Sequence, residues 1–356
     1  MRRSGRLLTW TAALVALLTA VVTVSAGIGP VWIPPATVGK ILLNALALPT
    51  GVELAGGVPR LVTTSPFAYP VEDVQRQIVV QVRLPRILLG AVVGFSLAAA
   101  GTIMQGIFRN PMADPSIIGV SSGAAVGAVG FIVVPFAVPF GLGLRGAAFA
   151  GALVAAFGVY LIATRNGETP VATLLLAGVA IQTFLGAVVS FLLLQAGESI
   201  RRALFWLMGH LKSATWLDVS TSLLLVAVPF LVLLAYTRDL NVMLLGEEDA
   251  QGLGIEVERT KRVLLAVSAV ITAAGVAVAG IIGFVGLIVP HVMRLLVGPD
   301  HRILLPTAAL AGASFLVATD TLARSGSAEV PVGIVTAALG APFFLYLLRQ
   351  REVHEL

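Results

Sequence analysis

Residues 87–108 of the chain read ILLGAVVGFSLAAAGTIMQGIF, an apolar run without a charged side chain. At about 1.5 Å of rise per residue, a helix of this length crosses the roughly 30 Å hydrocarbon core of a bilayer. Because lipid offers the backbone no hydrogen-bond partners, such a segment has to be a helix or part of a closed barrel. Its length and its lack of polar alternation favour the helix.

Similar runs recur along all 356 residues, of which 58% are hydrophobic and only 12% charged. A soluble domain is about a quarter charged. The sequence therefore predicts an all-α, polytopic transmembrane helical bundle that forms a single domain over residues 1–356. We expect about ten spans, at 7–28, 87–108, 116–134, 146–164, 171–195, 219–236, 263–281, 282–297, 303–322 and 331–348. Because only glycines interrupt the run 263–297, nine spans is the alternative.

The distribution of basic residues predicts how the bundle is oriented. With ten spans, more than half of the 23 basic residues lie on the side that holds both termini, which is typical of the cytoplasm. Segment 29–86 is then outside and segment 237–262 inside. The first apolar run is longer than the core of a signal peptide, so we expect it to be a retained span. The basic charge suits anionic lipid headgroups, and no nucleic-acid partner is expected.

Glycines at helical spacing indicate close contacts between helices. Gly119, Gly123 and Gly127 form one such row, and Gly90 and Gly94 form another. In lipid these rows allow two helix backbones to approach closely. We expect them to serve packing within one subunit.

Several kinds of chemistry are not supported by the sequence. There is no cysteine, no pair of histidines at metal-ligand spacing and no set of catalytic residues, so we expect neither a metal site, nor a cofactor, nor an enzyme. The Gly39-Lys40 pair is followed by Ile41, which rules out an ATP-binding Walker A loop. No acidic residue falls near a bilayer midplane, which argues against a proton-coupled transporter. A stand-alone secondary transporter or channel remains the alternative function.

The polar segment Thr237–Arg262 is too short for a domain but contains apolar residues that a solvated loop does not need. It is predicted to form one or two short helices broken by glycine, at which a cytoplasmic partner docks.

Seven strings in fixed order resemble one known family. They are QVRLPR (Gln81–Arg86), MQGIFRNPMADP (Met104–Pro115), LLAGVA (Leu175–Ala180), FWLMG (Phe205–Gly209), GFVGLIVPHVMR (Gly283–Arg294), DHRILLP (Asp300–Pro306) and EVPVGIVT (Glu329–Thr336). Together they resemble the FecCD-type permeases of type II ABC importers, which carry iron-siderophores, haem and vitamin B12. The resemblance covers about residues 76–350.

The resemblance implies a permease in the cell (inner) membrane, paired with a second copy or a close relative. It further implies a dimer of ABC ATPase subunits inside, a substrate-binding protein outside, and a path lined by the fifth and tenth spans. Arg83, Arg86 and Arg324 match the arginines that dock the binding protein. The match to the ATPase-coupling segment covers Leu240, Met243, Leu244, Gly246, Glu247, Gly252, Leu253 and Gly254.

Two features depart from the family pattern. Segment 44–75 is longer than usual between the first two spans, and His210 stands where a small residue is more common. His210 is either a structural residue or a contact for a metal chelate or haem. Nothing in the sequence selects among siderophore, haem and cobalamin as cargo.

Overall fold

A computed structural model describes residues 3–46, 48–55, 58–134, 143–326 and 328–352. Most of these residues are helical. The helices are α1 (Arg3–Gly27), α2 (Pro35–Ala45), α3 (Asp73–Gln77), α4 (Leu84–Ile107), α5 (Val120–Val133), α6 (Gly143–Ala163), α7 (Val171–Leu194), α8 (Ile200–Leu207), α9 (Trp216–Ala235), α10 (Thr237–Met243), α11 (Glu247–Gly252), α12 (Val257–Ala279), α13 (Val285–Val297), α14 (His301–Ala323) and α15 (Val332–Glu352).

Every predicted span corresponds to one of these helices. Within the described ranges, seven helices are long and apolar enough to cross a membrane, and three shorter apolar helices, Val120–Val133, Val285–Val297 and Val332–Tyr346, accompany them. The prediction of a polytopic helical membrane protein is therefore confirmed.

The glycine-interrupted run 263–297 forms two helices. Helix α12 ends at Ala279 and α13 begins at Val285, with Gly280 and Phe284 both in the left-handed region at φ 72° and 68°. The backbone N–H of His210 donates to the carbonyl of Ala279 at 2.7 Å, which satisfies one of the carbonyls freed where α12 ends. The glycines thus mark a break between two helices.

Helix α4 lies at the centre of the bundle and contacts its neighbours through small residues. A Cβ atom added at Gly94 would overlap the carbonyl oxygen of Gly312 in α14, and one added at Gly123 in α5 would overlap the backbone at Gly151 in α6. The expectation that these glycine rows pack helices within one subunit is confirmed for Gly94 and Gly123.

Segment 29–86 contains α2, a hairpin and α3. Val38 and Ile41 of α2 are buried in a cluster with Ile87 of α4, which fixes α2 on the bundle. The hairpin pairs β1 (Leu48–Ala55) antiparallel with β2 (Val58–Thr64) and was not indicated by the sequence. Just outside the hairpin, the amide of Asn44 forms two 2.9 Å hydrogen bonds with the backbone of Tyr69.

Segment 237–262, for which one or two short helices were predicted, contains two. Helix α10 ends at Met243, Gly246 adopts φ 137°, and α11 starts at Glu247. Since an L side chain rarely adopts this φ, glycine is needed at the break.

We expect Gly94→Ala to lower the free energy of unfolding by roughly 1–3 kcal/mol, because the added methyl group overlaps the backbone of α14. Thermal unfolding of purified protein in detergent, monitored by size-exclusion chromatography, measures this. Gly158→Ala is the matched control, since a Cβ at that helical position meets nothing within 4 Å. Equal melting temperatures for the two variants would contradict the proposed contact.

Candidate functional site

One candidate surface lies where the N-terminal end of α4 and the C-terminal end of α14 meet the α14–α15 connection. Arg86, in the first turn of α4, forms a bidentate pair with Asp320, with Nη2 at 2.7 Å from Oδ1 and Nε at 3.0 Å from Oδ2. Its remaining Nη1 donates to Glu329 Oε1 at 2.5 Å. The side chain of Arg86 is 15% exposed and that of Asp320 is 3% exposed. Charge-assisted bidentate pairs of this kind hold their partners in a fixed orientation.

The other two predicted docking arginines bind backbone carbonyls at the end of α1. Arg83 is buried and donates to Ala26 O at 2.6 Å and to Val31 O. Arg324 donates to Ile28 O at 2.7 Å and to Ser25 O at 2.6 Å. The last carbonyls of a helix have no partner inside the helix, and the guanidinium groups bind two of them, at Ser25 and Ala26. Ile28 and Val31 follow the end of α1. The structure thus brings Arg83, Arg86 and Arg324 to one outer region, where each has partners within the chain.

Glu329 is the most accessible acid in this cluster, at 31% side-chain exposure. Burial raises the pKa of Glu329, but the hydrogen bond and positive charge of Arg86, followed by the charge of Lys212, outweigh burial and hold the pKa below its ordinary value. Lys212 is 72% exposed, with Nζ 3.5 Å from Glu329 Oε2. The sequence analysis missed Asp320, Glu329 and Lys212 as partners. Only the spacing of Asp320 four residues before Arg324 could have indicated one of them.

His210 lies beside this cluster, in the connection between α8 and α9. It lines two cavities of about 230 and 340 Å³, the second of which also includes Arg86 and Glu329. Burial lowers the pKa of His210, and the nearby charge of Arg86 lowers it further. Its Nδ1 atom is buried and has no hydrogen-bond partner among the described residues. A neutral imidazole therefore borders the outer cavities.

The second candidate surface is segment 237–262, in which the predicted coupling residues separate into buried anchors and an exposed tip. Leu240 and Met243 are buried, and the side chain of Leu240 lies close to Gly106 at the inner end of α4. Leu244, Gly246 and Glu247 are partly buried, whereas Gly252, Leu253 and Gly254 are exposed.

Leu245 is an exposed residue of this tip that the sequence analysis missed. It is 65% exposed, as is Leu253. Its position beside Leu244 gave no indication of which leucine faces outward, because that depends on the turn at Gly246.

Residues 15–350 match the FecCD transport family. The chain belongs to this family.

Relatives in this family show how far the similarity extends. The chain is 57% identical to the cobalamin import system permease protein BtuC of Halobacterium salinarum, over 99% of both chains. It is 47% identical to the hemin transport system permease protein HmuU of Yersinia pestis, over 79% of this chain and 86% of the relative. A solved structure described as an inward-facing metal-chelate type ABC transporter is 31% identical and superposes with a TM-score of 0.78, over 96% of this chain and 98% of the other.

Membership in the FecCD family identifies the chain as a permease subunit of an ABC importer and as a multi-pass protein of the cell membrane. The family is a transport family.

Proposed function

We propose that this permease forms the translocation path of an ATP-driven importer for a cobalamin. The observation that carries the proposal is the 57% identity to a cobalamin permease over 99% of both chains. The hemin permease matches less of the chain at lower identity. Haem and iron chelates are the alternative cargoes, and a stand-alone secondary transporter is the alternative mechanism.

The proposed topology has ten spans with both termini in the cytoplasm, in one transmembrane domain over residues 1–356. Segment 29–86 is on the outside and segment 237–262 on the inside. Supporting this, Arg86 lies at the first turn of α4 and Leu240 lies beside Gly106 at its other end. At about 1.5 Å per residue, α4 separates the two surfaces by the thickness of a membrane.

In the proposed assembly, a second copy of the chain or a close relative completes the path. Helices α7 and α15 line this path. Helix α7 is apolar, yet only 17% of its most hydrophobic window is buried within the chain. Large side chains such as Leu176 and Phe184 are more than 60% exposed on it. This exposure supports contacts with lipid and with a partner subunit along α7.

On the outside, we propose that carboxylates of the substrate-binding protein dock at Arg83, Arg86 and Arg324. Arg86 is the most accessible of the three side chains, and Glu329 occupies one edge of its guanidinium group in the isolated chain. An incoming carboxylate replaces Glu329 at this edge. Arginine pairs of this kind guide association and fix the orientation of the partner.

On the inside, we propose that two ATPase subunits seat on the tips formed by α10 and α11. Leu245 and Leu253 present apolar side chains there, on either side of the acidic first turn of α11. Closure of the ATPase dimer on ATP moves these helices and switches the path from one side to the other.

The cargo is tested by reconstituting the permease in proteoliposomes with the ATPase and binding protein encoded beside it. Binding protein loaded with cobalamin is expected to stimulate ATP hydrolysis and cobalamin uptake. Stimulation by a haem-loaded or siderophore-loaded binding protein instead would reassign the cargo. Uptake that proceeds without ATP would identify a secondary transporter.

The docking contact is tested by measuring binding-protein affinity for the complex in nanodiscs. Arg86→Gln is expected to weaken binding by about 2 kcal/mol or more, roughly thirtyfold, because it removes a hydrogen-bonded charge. Glu329→Gln is expected to strengthen binding, since it removes the negative charge that competes with the incoming carboxylate for Arg86.

Lys40→Gln is the control for the docking experiment, because Lys40 is an exposed outer cation remote in sequence from the cluster. Equal affinities for wild type, Arg86→Gln and Glu329→Gln would overturn the docking role of Arg86.

The coupling contact is tested by Leu253→Asp and Leu245→Asp. Each is expected to weaken ATPase binding about tenfold, because a charge enters an apolar contact. Co-purification of the ATPase at graded salt concentrations measures this. Gln251→Asp, also exposed on α11, is the matched control, and identical behaviour of all three variants would contradict the proposed seat.

A further inference from the structure

Lys261, in the second turn of α12, is buried although it carries a charge. Its side chain is 2% exposed. Burying an ammonium group is unfavourable unless its protons are paired. Here Nζ lies 2.6 Å from Glu258 Oε1 and 3.0 Å from Glu247 Oε2, and it donates to the carbonyl of Thr169 at 3.0 Å. Two of the ammonium protons are donated to Thr169 and Glu247, and Glu258 supplies a close negative charge.

The three acceptors belong to different parts of the bundle. Glu247 is the first residue of α11, and Glu258 is in the first turn of α12. Thr169 is in the connection between α6 and α7, directly before Pro170, the N-cap of α7. The second oxygen of Glu258 accepts the backbone N–H of Thr169 at 3.0 Å. Both backbone polar groups of Thr169 are thus bound to side chains of α12.

Helix α11 has few other attachments in the described part of the chain. It is six residues long, and its buried residue is Ala250, which packs in a small cluster with Met243 and Val257. Apolar contacts of this size allow sliding because they are not directional. The ion pair between Glu247 and Lys261 is directional, and it sets where α11 sits relative to α12.

We propose that Lys261 is a positioning residue that transmits movement of α11 to the start of α7. This inference rests on the proposed function, in which the ATPase seats on α11 and α7 lines the path. When α11 moves, Glu247 displaces the ammonium group. Because Thr169 binds the same ammonium group and its partner Glu258, the N-terminus of α7 moves with it.

The decisive comparison is Glu247→Ala against Glu248→Ala in the full importer complex. Both remove one carboxylate from α11, but Glu248 is exposed, whereas Glu247 binds Lys261. Glu247→Ala leaves Lys261 paired with Glu258 and Thr169, so the fold is expected to persist, and any loss of ATPase affinity from the removed charge is shared with Glu248→Ala. Cobalamin imported per ATP hydrolysed is expected to fall about fivefold or more, the lower end of typical coupling between sites. Glu248→Ala, which removes the same charge from the proposed ATPase seat, is expected to keep the wild-type ratio of cobalamin imported to ATP hydrolysed.

A second readout follows α7 directly. The chain has no cysteine, so Ala172→Cys, exposed in the first turn of α7, provides a unique site for a fluorescent label on the permease. ATP is expected to change the label's emission in the wild-type and Glu248→Ala backgrounds, and not in the Glu247→Ala background. If the ion pair only stabilised the fold, a Glu247→Ala protein of unchanged stability would show the same ATP-dependent change in emission as wild type.

The outcomes separate the inference from the proposed function. If wild-type vesicles import with ATP, and Glu247→Ala matches Glu248→Ala in both yield and fluorescence, the role of Lys261 is overturned while the importer stands. If wild-type vesicles show no ATP-dependent import, the proposed function is overturned, and the inference with it.

Discussion

Close contact between helix backbones is the constraint on which the bundle depends. Lipid is as apolar as leucine, so burial of apolar surface does little to hold helices together, and packing of small residues takes its place. Gly94 against Gly312, and Gly101 against Gly286, bring α4 into backbone contact with α14 and α13. Helices α4 and α7 are similarly hydrophobic, yet 78% of the apolar window of α4 is buried against 17% for α7. The positions of the glycines therefore distinguish the central helix α4 from the peripheral helix α7.

Charged groups complete the structure at the two ends of the spans. At one end, Arg83, Arg86 and Arg324 each donate to a carboxylate or a carbonyl, while Nε of Arg324 makes no hydrogen bond to the described residues and lies 3.5 Å from Asp320 Oδ2. At the other end, one ammonium group joins three segments. Because these groups are costly to bury unpaired, each pairing fixes the mutual position of the segments that supply it. The same surfaces are the ones on which partners are proposed to dock.

The spans and the break at Gly246 could be predicted because apolar run length and glycine position are local properties of the sequence. The burial of particular charged residues could not be predicted from the sequence. The partner of Arg83 is a carbonyl at Ala26, and that of Arg86 is Asp320, more than 200 positions away. Glu247 was assigned to the coupling segment from its place in the sequence, but nothing in the sequence indicated that Lys261 is its buried partner. The hairpin was missed because residues 48–64 contain two prolines and three glycines, a composition typical of a loop.

The two hydrogen bonds between Asn44 and Tyr69 have a consequence for how the outer segment can vary. These bonds hold together the two ends of the segment that contains the hairpin, whatever the sequence between Asn44 and Tyr69. The entropy of closing such a loop rises only with the logarithm of its length. Sequence can therefore be inserted or removed between the two residues at little energetic cost to the bundle. The segment between Asn44 and Tyr69 is therefore a place where this permease can acquire a tag, an epitope or a lineage-specific extension while the helical bundle stays the same.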